Sequence, residues 1–309
     1  MDVSIVTSLY GSASHLAGFL EQLEADLKFL ESRGYSAESI IVSNAPDRRE
    51  QRILRTALGS PWWADHSRLI VVPRETLYAS WNRGVRASSG SAITFWSVDD
   101  WRNPAAMVEG IDLIRQGGDV VRFPWIQAVE RRPSRGTVKR MVAIKDADGG
   151  NLTDCQSAFC LGPFFMFSRA IFDKLGPFDE QFHIVGDFDW QLRVTSSSTL
   201  VQGKRLAGVF FADGANLSGT GSQRALVEHN FLTKRYGLER PVWPLDERAR
   251  KLSLSYRVDE SVVRGTTADW SYDRQWLRYR TWNRVYHRCR RLAGGPVRLA
   301  RTLTARGRQ

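Results

Sequence analysis

Cysteine is scarce in this chain, and the scarcity excludes several classes of protein. There are three in 309 residues, Cys155, Cys160 and Cys289, too few for a disulfide framework. No set of His and Cys has zinc-ligand spacing, and the five histidines are scattered. This usage fits a reducing cytoplasm. Long apolar runs are also missing. The most apolar stretch, residues 158–167, falls well short of the roughly 18–20 residues of a membrane span. Asp2 stands where a signal peptide would carry its basic region, so a secretory signal is not expected. No internal repeat is evident, which argues against solenoids and propellers. The last 36 residues lack acidic groups altogether.

That last absence explains the charge. The chain has 44 Lys plus Arg against 33 Asp plus Glu, a net charge of +11. Eleven Arg fall between Arg274 and Gln309. The first 273 residues hold 33 basic and 33 acidic groups and are neutral. A basic isoelectric point therefore says nothing about the body and concerns only the tail. Apolar residues make up 42%, enough to bury a core and to exclude a disordered chain.

The hydrophobic pattern alternates between strand and helix. Residues 3–8 read as a buried strand, and Leu16, Phe19, Leu20, Leu23, Leu27 and Leu30 recur at helical spacing. Strands are expected at 39–42, 69–72 and 92–96, with helices at 48–58, 76–88 and 107–115. Such alternation implies βαβ units, a mostly parallel sheet and a ligand site at the carboxyl ends of its strands. Residues 9–12, 43–47, the region near Pro73 and 97–100 fall at those ends. Further on, 120–129 and 137–145 read as strands, 188–194 and 223–236 as helices, and 209–212 as a late strand. Pro241 and Pro244 mark a boundary, giving a body at 1–240 (halves 1–110 and 111–240) and a helical, Arg-rich extension at 241–309.

Two acidic motifs carry possible chemistry. Asp99 and Asp100 end a strand between Trp96 and Trp101. Paired carboxylates there suit Mg²⁺ or Mn²⁺ holding a diphosphate, or simply cap the helix that follows. Asp187 and Asp189 flank Phe188 at a helix start. One could serve as a general base while the other supports the scaffold; ordinary capping is the alternative.

In order, these pieces resemble the family 2 glycosyltransferases of the GT-A fold, the Rossmann-like fold of nucleotide-diphospho-sugar transferases. The resemblance rests on Val3-Ser4-Ile5-Val6-Thr7-Ser8-Leu9-Tyr10, on the Ser43-Asn44-Ala45-Pro46 turn, and on Asn82-Arg83-Gly84 through Gly90 leading to Ser97-Val98-Asp99-Asp100. It continues in Gly176-Pro177-Phe178-Asp179-Glu180-Gln181-Phe182 and in Gly186-Asp187-Phe188-Asp189-Trp190-Gln191-Leu192-Arg193. It implies a nucleotide-diphosphate sugar donor, a cation on Asp99 with Asp100 and Asp213 as lesser candidates, and Asp187 as the base of an inverting displacement. It places the donor near Thr7, Ser8, Tyr10, Asn44, Asp47, Asn82, Arg83, Ser97 and Val98. Trp190 and Asp189, beside the base, are expected on the acceptor side; for Trp190, core packing is the alternative.

Two positions depart from the family pattern. Ser97 and Ser43 stand where the family usually has Asp. They leave open a second reading, a non-catalytic relative that binds nucleotide or glycan as a scaffold. In the tail, aromatic residues between 276 and 286 interleave with Arg. That pattern suits an anionic membrane surface, which would hold a cytoplasmic enzyme at the inner face beside a glycan or lipid-linked acceptor. A helix packed on the body is the alternative. No nucleic-acid fold signature accompanies the tail, so nucleic acid is not the expected partner.

Overall fold

The computed structural model describes residues 1–131, 139–145, 155, 159–211 and 223–238. All lie within one compact unit, Met1–Val258. The expected extension at 241–309 lies outside the described residues.

The short β-branched runs form β1 (Val3–Leu9), β2 (Ala37–Asn44), β3 (Ser67–Val72) and β4 (Ala92–Phe95). These four pair in parallel, β1 lying between β2 and β4. Helices α1 (Leu16–Ser32), α2 (Arg48–Ala57), α3 (Pro61–His66) and α4 (Leu77–Ala87) connect them. Sequence patterning did not anticipate α3. Ser60 caps it, Pro61 opens it and Trp63 is buried under it.

After β5 (Trp101–Arg102) come α5 (Pro104–Arg115), β6 (Val120–Arg122), β7 (Trp125–Arg131), β8 (Lys139–Lys145) and β9 (Met166–Ser168). Then follow α6 (Arg169–Leu175), α7 (Gly186–Thr195), β10 (Leu200–Gln202), β11 (Gly208–Phe211) and α8 (Gln223–Tyr236). The main sheet has seven strands in the order β10-β6-β9-β4-β1-β2-β3, with β9 antiparallel to both neighbours. A second sheet runs β5-β11-β7-β8. This is a mixed α/β architecture with a mostly parallel central sheet. The single strand expected at 120–129 is in fact two, β6 and β7, in different sheets. Pro124 lies between them, and with no N–H to donate it cannot continue a ladder.

Apolar side chains alternate across β1 and feed two cores. Val3, Ile5 and Leu9 join Leu16, Leu20, Leu23, Leu27, Leu30 and Met107 on one face. Val6 joins Ile40, Val85, Phe167, Phe178, Phe188 and Trp190 on the other. Each such Leu contributes about 1.5–3 kcal/mol by leaving water. Gly84 lets α4 lie tightly on β1, since a Cβ there would stand 2.3 Å from Val6 Cγ1. That close approach fixes which face of α4 looks toward residues 178–187.

The cysteines depart from expectation. Cys155 and Cys160 are joined by a disulfide, with Cα atoms 5.4 Å apart. A bridge spanning five positions closes a local ring rather than a framework. Among the described residues, no helix is long and apolar enough to cross a membrane.

Candidate active site

The parallel strands deliver four loops to one edge of the sheet. At the end of β1, Tyr10 is 57% exposed and Arg74 lies over its ring, 3.3 Å from the centroid. Thr7 is fully buried and its hydroxyl has no hydrogen-bond partner among the described residues. Ser8 is half-buried. At the end of β2, Asn44 faces inward. Its Nδ2 donates to Glu75 O (2.9 Å) and Ser80 Oγ (3.2 Å), and its Oδ1 accepts from Glu75 N (3.0 Å). The Glu75 carboxylate in turn accepts from Ser80 Oγ and from Arg83 Nε and Nη2. Asp47 caps α2, accepting from Arg49 N and Glu50 N. The Glu50 carboxylate returns to Asp47 N and also accepts from Ser12 N. This capping box ties the loop after β1 to the loop after β2.

The acidic turn follows β4. Ser97 is exposed, while Val98 and Asp99 are half-buried. Asp100 turns inward, 3% exposed, and its Oδ1 accepts from Phe211 N at the end of β11 (3.1 Å). Burial, and then the charge of Asp99, pushes the Asp100 carboxyl well above the usual range. Beneath the turn lies Arg102, which donates to Thr94 Oγ1 and Phe95 O (both 2.6 Å) and to Phe164 O (3.3 Å). Burial lowers its pKa to about 10, partly offset by the charges of Asp26 and Asp100. Asp100 is thus committed to the scaffold, and Asp99 is the carboxylate of the pair nearer solvent. Among the described residues, no group of three or more His, Cys, Asp or Glu converges to hold a metal. Asp213 lies outside the described residues.

The second motif opens α7. Asp187 Oδ1 accepts from Phe188 N (2.8 Å) and from the Tyr78 hydroxyl (3.1 Å). The one proton of that hydroxyl is shared with Ile184 O, the nearer acceptor (2.7 Å). Burial raises the Asp187 pKa to about 6, while those two hydrogen bonds hold it down. Burial and the Asp187 charge push the Tyr78 phenol well above 10, so it remains a donor throughout neutral pH. Gly186 makes this contact possible. A Cβ there would lie 2.7 Å from the Tyr78 ring, so any other residue would push the phenol off Asp187.

One face of α4 holds the segment that leads to α7. Tyr78 and Asn82 are one turn apart and therefore share a face. Asn82 is fully buried. Its Nδ2 donates to Phe178 O (2.8 Å) and Glu180 Oε1 (2.9 Å), and its Oδ1 accepts from Phe178 N (2.9 Å). From the far side, Glu228 on α8 accepts from His183 N, Ile184 N and Val185 N. The loop before Asp187 is thereby clamped between two helices.

Placed against expectation, Tyr10, Ser97, Val98, Asp99 and Asp187 are partly or largely accessible at the strand ends or the α7 start. Asn44, Asp47 and Asn82 are spent on backbone and capping bonds, and Arg83 on Glu75. The two residues assigned to the acceptor side do not face a cleft. Asp189, 1% exposed, pairs with Arg235 (2.8 Å) and Arg193 (3.3 Å) and accepts from Tyr236. Trp190 is fully buried against Phe178 and Phe167. Of its two readings, core packing is the one the structure carries. Tyr78, Glu75 and Glu228 escaped the sequence reading. Tyr78 had one usable signal, its one-turn spacing from Asn82; Glu228 acts across more than forty residues and had none.

A family model described as Glycosyl transferase family 2 matches residues 4–176. Among solved structures, the chain is similar to S. aureus TarS 1-349 in complex with UDP-GlcNAc, at 13% identity and a TM-score of 0.53. The match covers 82% of this chain and 79% of that one. It is also similar to the mannosyltransferase PcManGT from Pyrobaculum calidifontis in complex with GDP-Man and Mn²⁺, at 12% identity and a TM-score of 0.50. That match covers 76% of this chain and 60% of that one. At these identities the likeness establishes the fold. No curated protein sequence matches the chain.

Because Trp190 is core, Trp190→Ala is expected to cost about 3–5 kcal/mol of stability. Urea unfolding reads the change, and an unaltered midpoint would return Trp190 to the surface.

Proposed function

The chain belongs to glycosyl transferase family 2 and is a glycosyltransferase of the GT-A fold, and we propose that it moves one sugar, with inversion, from a nucleoside-diphosphate donor to a hydroxyl of a glycan or glycolipid. The observation that carries this reading is Asp187: a desolvated carboxylate with a pKa near 6, at a helix start, fixed on one oxygen by Tyr78 and Phe188 N. A general base works best with a pKa near the operating pH. The hydrogen bonds hold Oδ1, so Oδ2 is the oxygen that takes the acceptor proton as the hydroxyl oxygen attacks the anomeric carbon. The bond to the diphosphate breaks on the opposite face. One displacement needs no enzyme nucleophile and inverts the centre.

The donors in the two structural neighbours, UDP-GlcNAc and GDP-Man, support a nucleoside-diphosphate sugar here. A divalent cation, Mn²⁺ or Mg²⁺, fits the residues at the β4 end. Such ions take oxygen ligands, often one or two carboxylates completed by substrate phosphates and water. Asp99 would be the carboxylate, with the Ser97 hydroxyl beside it. When bound, the cation supplies positive charge against the departing diphosphate. The scaffold reading drew on Ser97 and Ser43, and a desolvated, oriented Asp187 is an expense that reading does not require. The Arg-rich residues 274–309 support attachment to an anionic membrane surface presenting the acceptor.

Asp187→Asn is expected to lower the transfer rate about 10²–10⁴-fold while nucleotide-sugar stabilisation in a thermal-shift assay is kept. Full activity in that variant refutes the base assignment. In wild type, kcat/KM should fall as pH drops through about 6, where Asp187 gains its proton. Tyr78→Phe removes a bond that favours the ionised carboxylate, worth about 1.5 kcal/mol or more. It should therefore move this acid limb upward by roughly one pH unit. A limb that stays in place separates Tyr78 from the base.

A further inference from the structure

We infer that Phe159, presented by the Cys155–Cys160 disulfide ring, is the platform on which a pyranose ring of the acceptor stacks. The inference rests on the transferase reading above. Phe159 is a large apolar side chain left 39% exposed. Its ring meets Phe188 edge-on, with centroids 6.3 Å apart and planes at 84°. Phe188 is the residue whose N–H fixes Asp187. Phe159 thus packs on the side chain that follows Asp187 in the chain, on a different loop from Tyr10 and Arg74 at the end of β1.

The ring's attachment is what makes a lone exposed phenylalanine more than surface. Gln191 is fully buried on α7, one turn beyond Asp187 and on the same face. Its Nε2 donates to Cys155 O (2.6 Å), and its Oε1 accepts from Cys160 N (2.8 Å) and Leu161 N (3.2 Å). Arg122 Nη1 donates to Cys155 Sγ (3.4 Å). Cys155 and Leu161 are buried while Phe159 between them points outward. Cys155 and Cys160 are thus both pinned to the base helix and joined to each other covalently. An aromatic face ordered in advance costs little further entropy on binding. It offers the apolar C–H face of a sugar a partner at a fixed offset from the proton acceptor.

The test uses the full chain and methyl glycosides of glucose, galactose, mannose and N-acetylglucosamine as probes. Saturation-transfer NMR reads binding through the sugar ring protons. Wild type and Phe159→Trp should saturate at least one glycoside. Phe159→Ala should bind that glycoside roughly fivefold more weakly, with an unchanged melting temperature. Wild type treated with dithiothreitol, with reduction of Cys155 and Cys160 verified by mass spectrometry, should weaken in the same direction. Equal affinity in Phe159→Ala, or no saturation of any glycoside by wild type, overturns the platform. The transferase reading fails by a separate signature, in which no nucleotide sugar raises the melting temperature of wild type.

Discussion

The grip of α4 on the segment between Phe178 and Asp187 is the constraint on which the site depends. Asn82 takes both backbone groups of Phe178, and Tyr78, one turn earlier, takes Ile184 O and the Asp187 carboxylate. The helix can do this because Gly84 seats it against Val6 of the central strand. Asp187 is therefore referenced to the same sheet that carries the acidic turn at the end of β4. A shift of α4 would move Asp187 relative to that turn, and in an enzyme a misplacement of about 1 Å can cost about 10²-fold in rate.

Around this grip, carboxylates divide their labour by burial. Glu228 satisfies three backbone N–H groups, Asp189 neutralises Arg193 and Arg235, and Asp100 anchors β11. Each is held by bonds that stabilise the scaffold. Among the described residues, Tyr78 and Phe188 N hold Asp187 by Oδ1, and desolvation pushes it up to about 6. Asp99 stays nearer water. Identical functional groups acquire different roles because the environment sets proton affinity and access separately.

Much of this was readable in the chain, but unevenly. The parallel strands announced themselves through short β-branched runs, and the two acidic motifs through their positions after a strand and before a helix. What letters alone do not report is the structural duty of polar residues within a motif: Asn44, Asp47 and Asn82, read as donor-side residues, each also bonds backbone groups of a neighbouring segment. Trp190 looked like a stacking residue and packs in the core. Burial is set by contacts between distant elements, such as α7 against β9 and α8, and local periodicity does not report it. The Cys155–Cys160 bond and the Glu228 clamp belong to the same class.

The central claim is that Asp187 is a desolvated carboxylate poised near neutrality. Carbon-13 NMR of protein labelled at the aspartate carboxyls measures this directly, with Asp187→Asn assigning the resonance. The account predicts titration near pH 6. A midpoint at the ordinary aspartate value near 3.8 would contradict it, since the carboxylate would then be solvated and too weak a base for the proposed role.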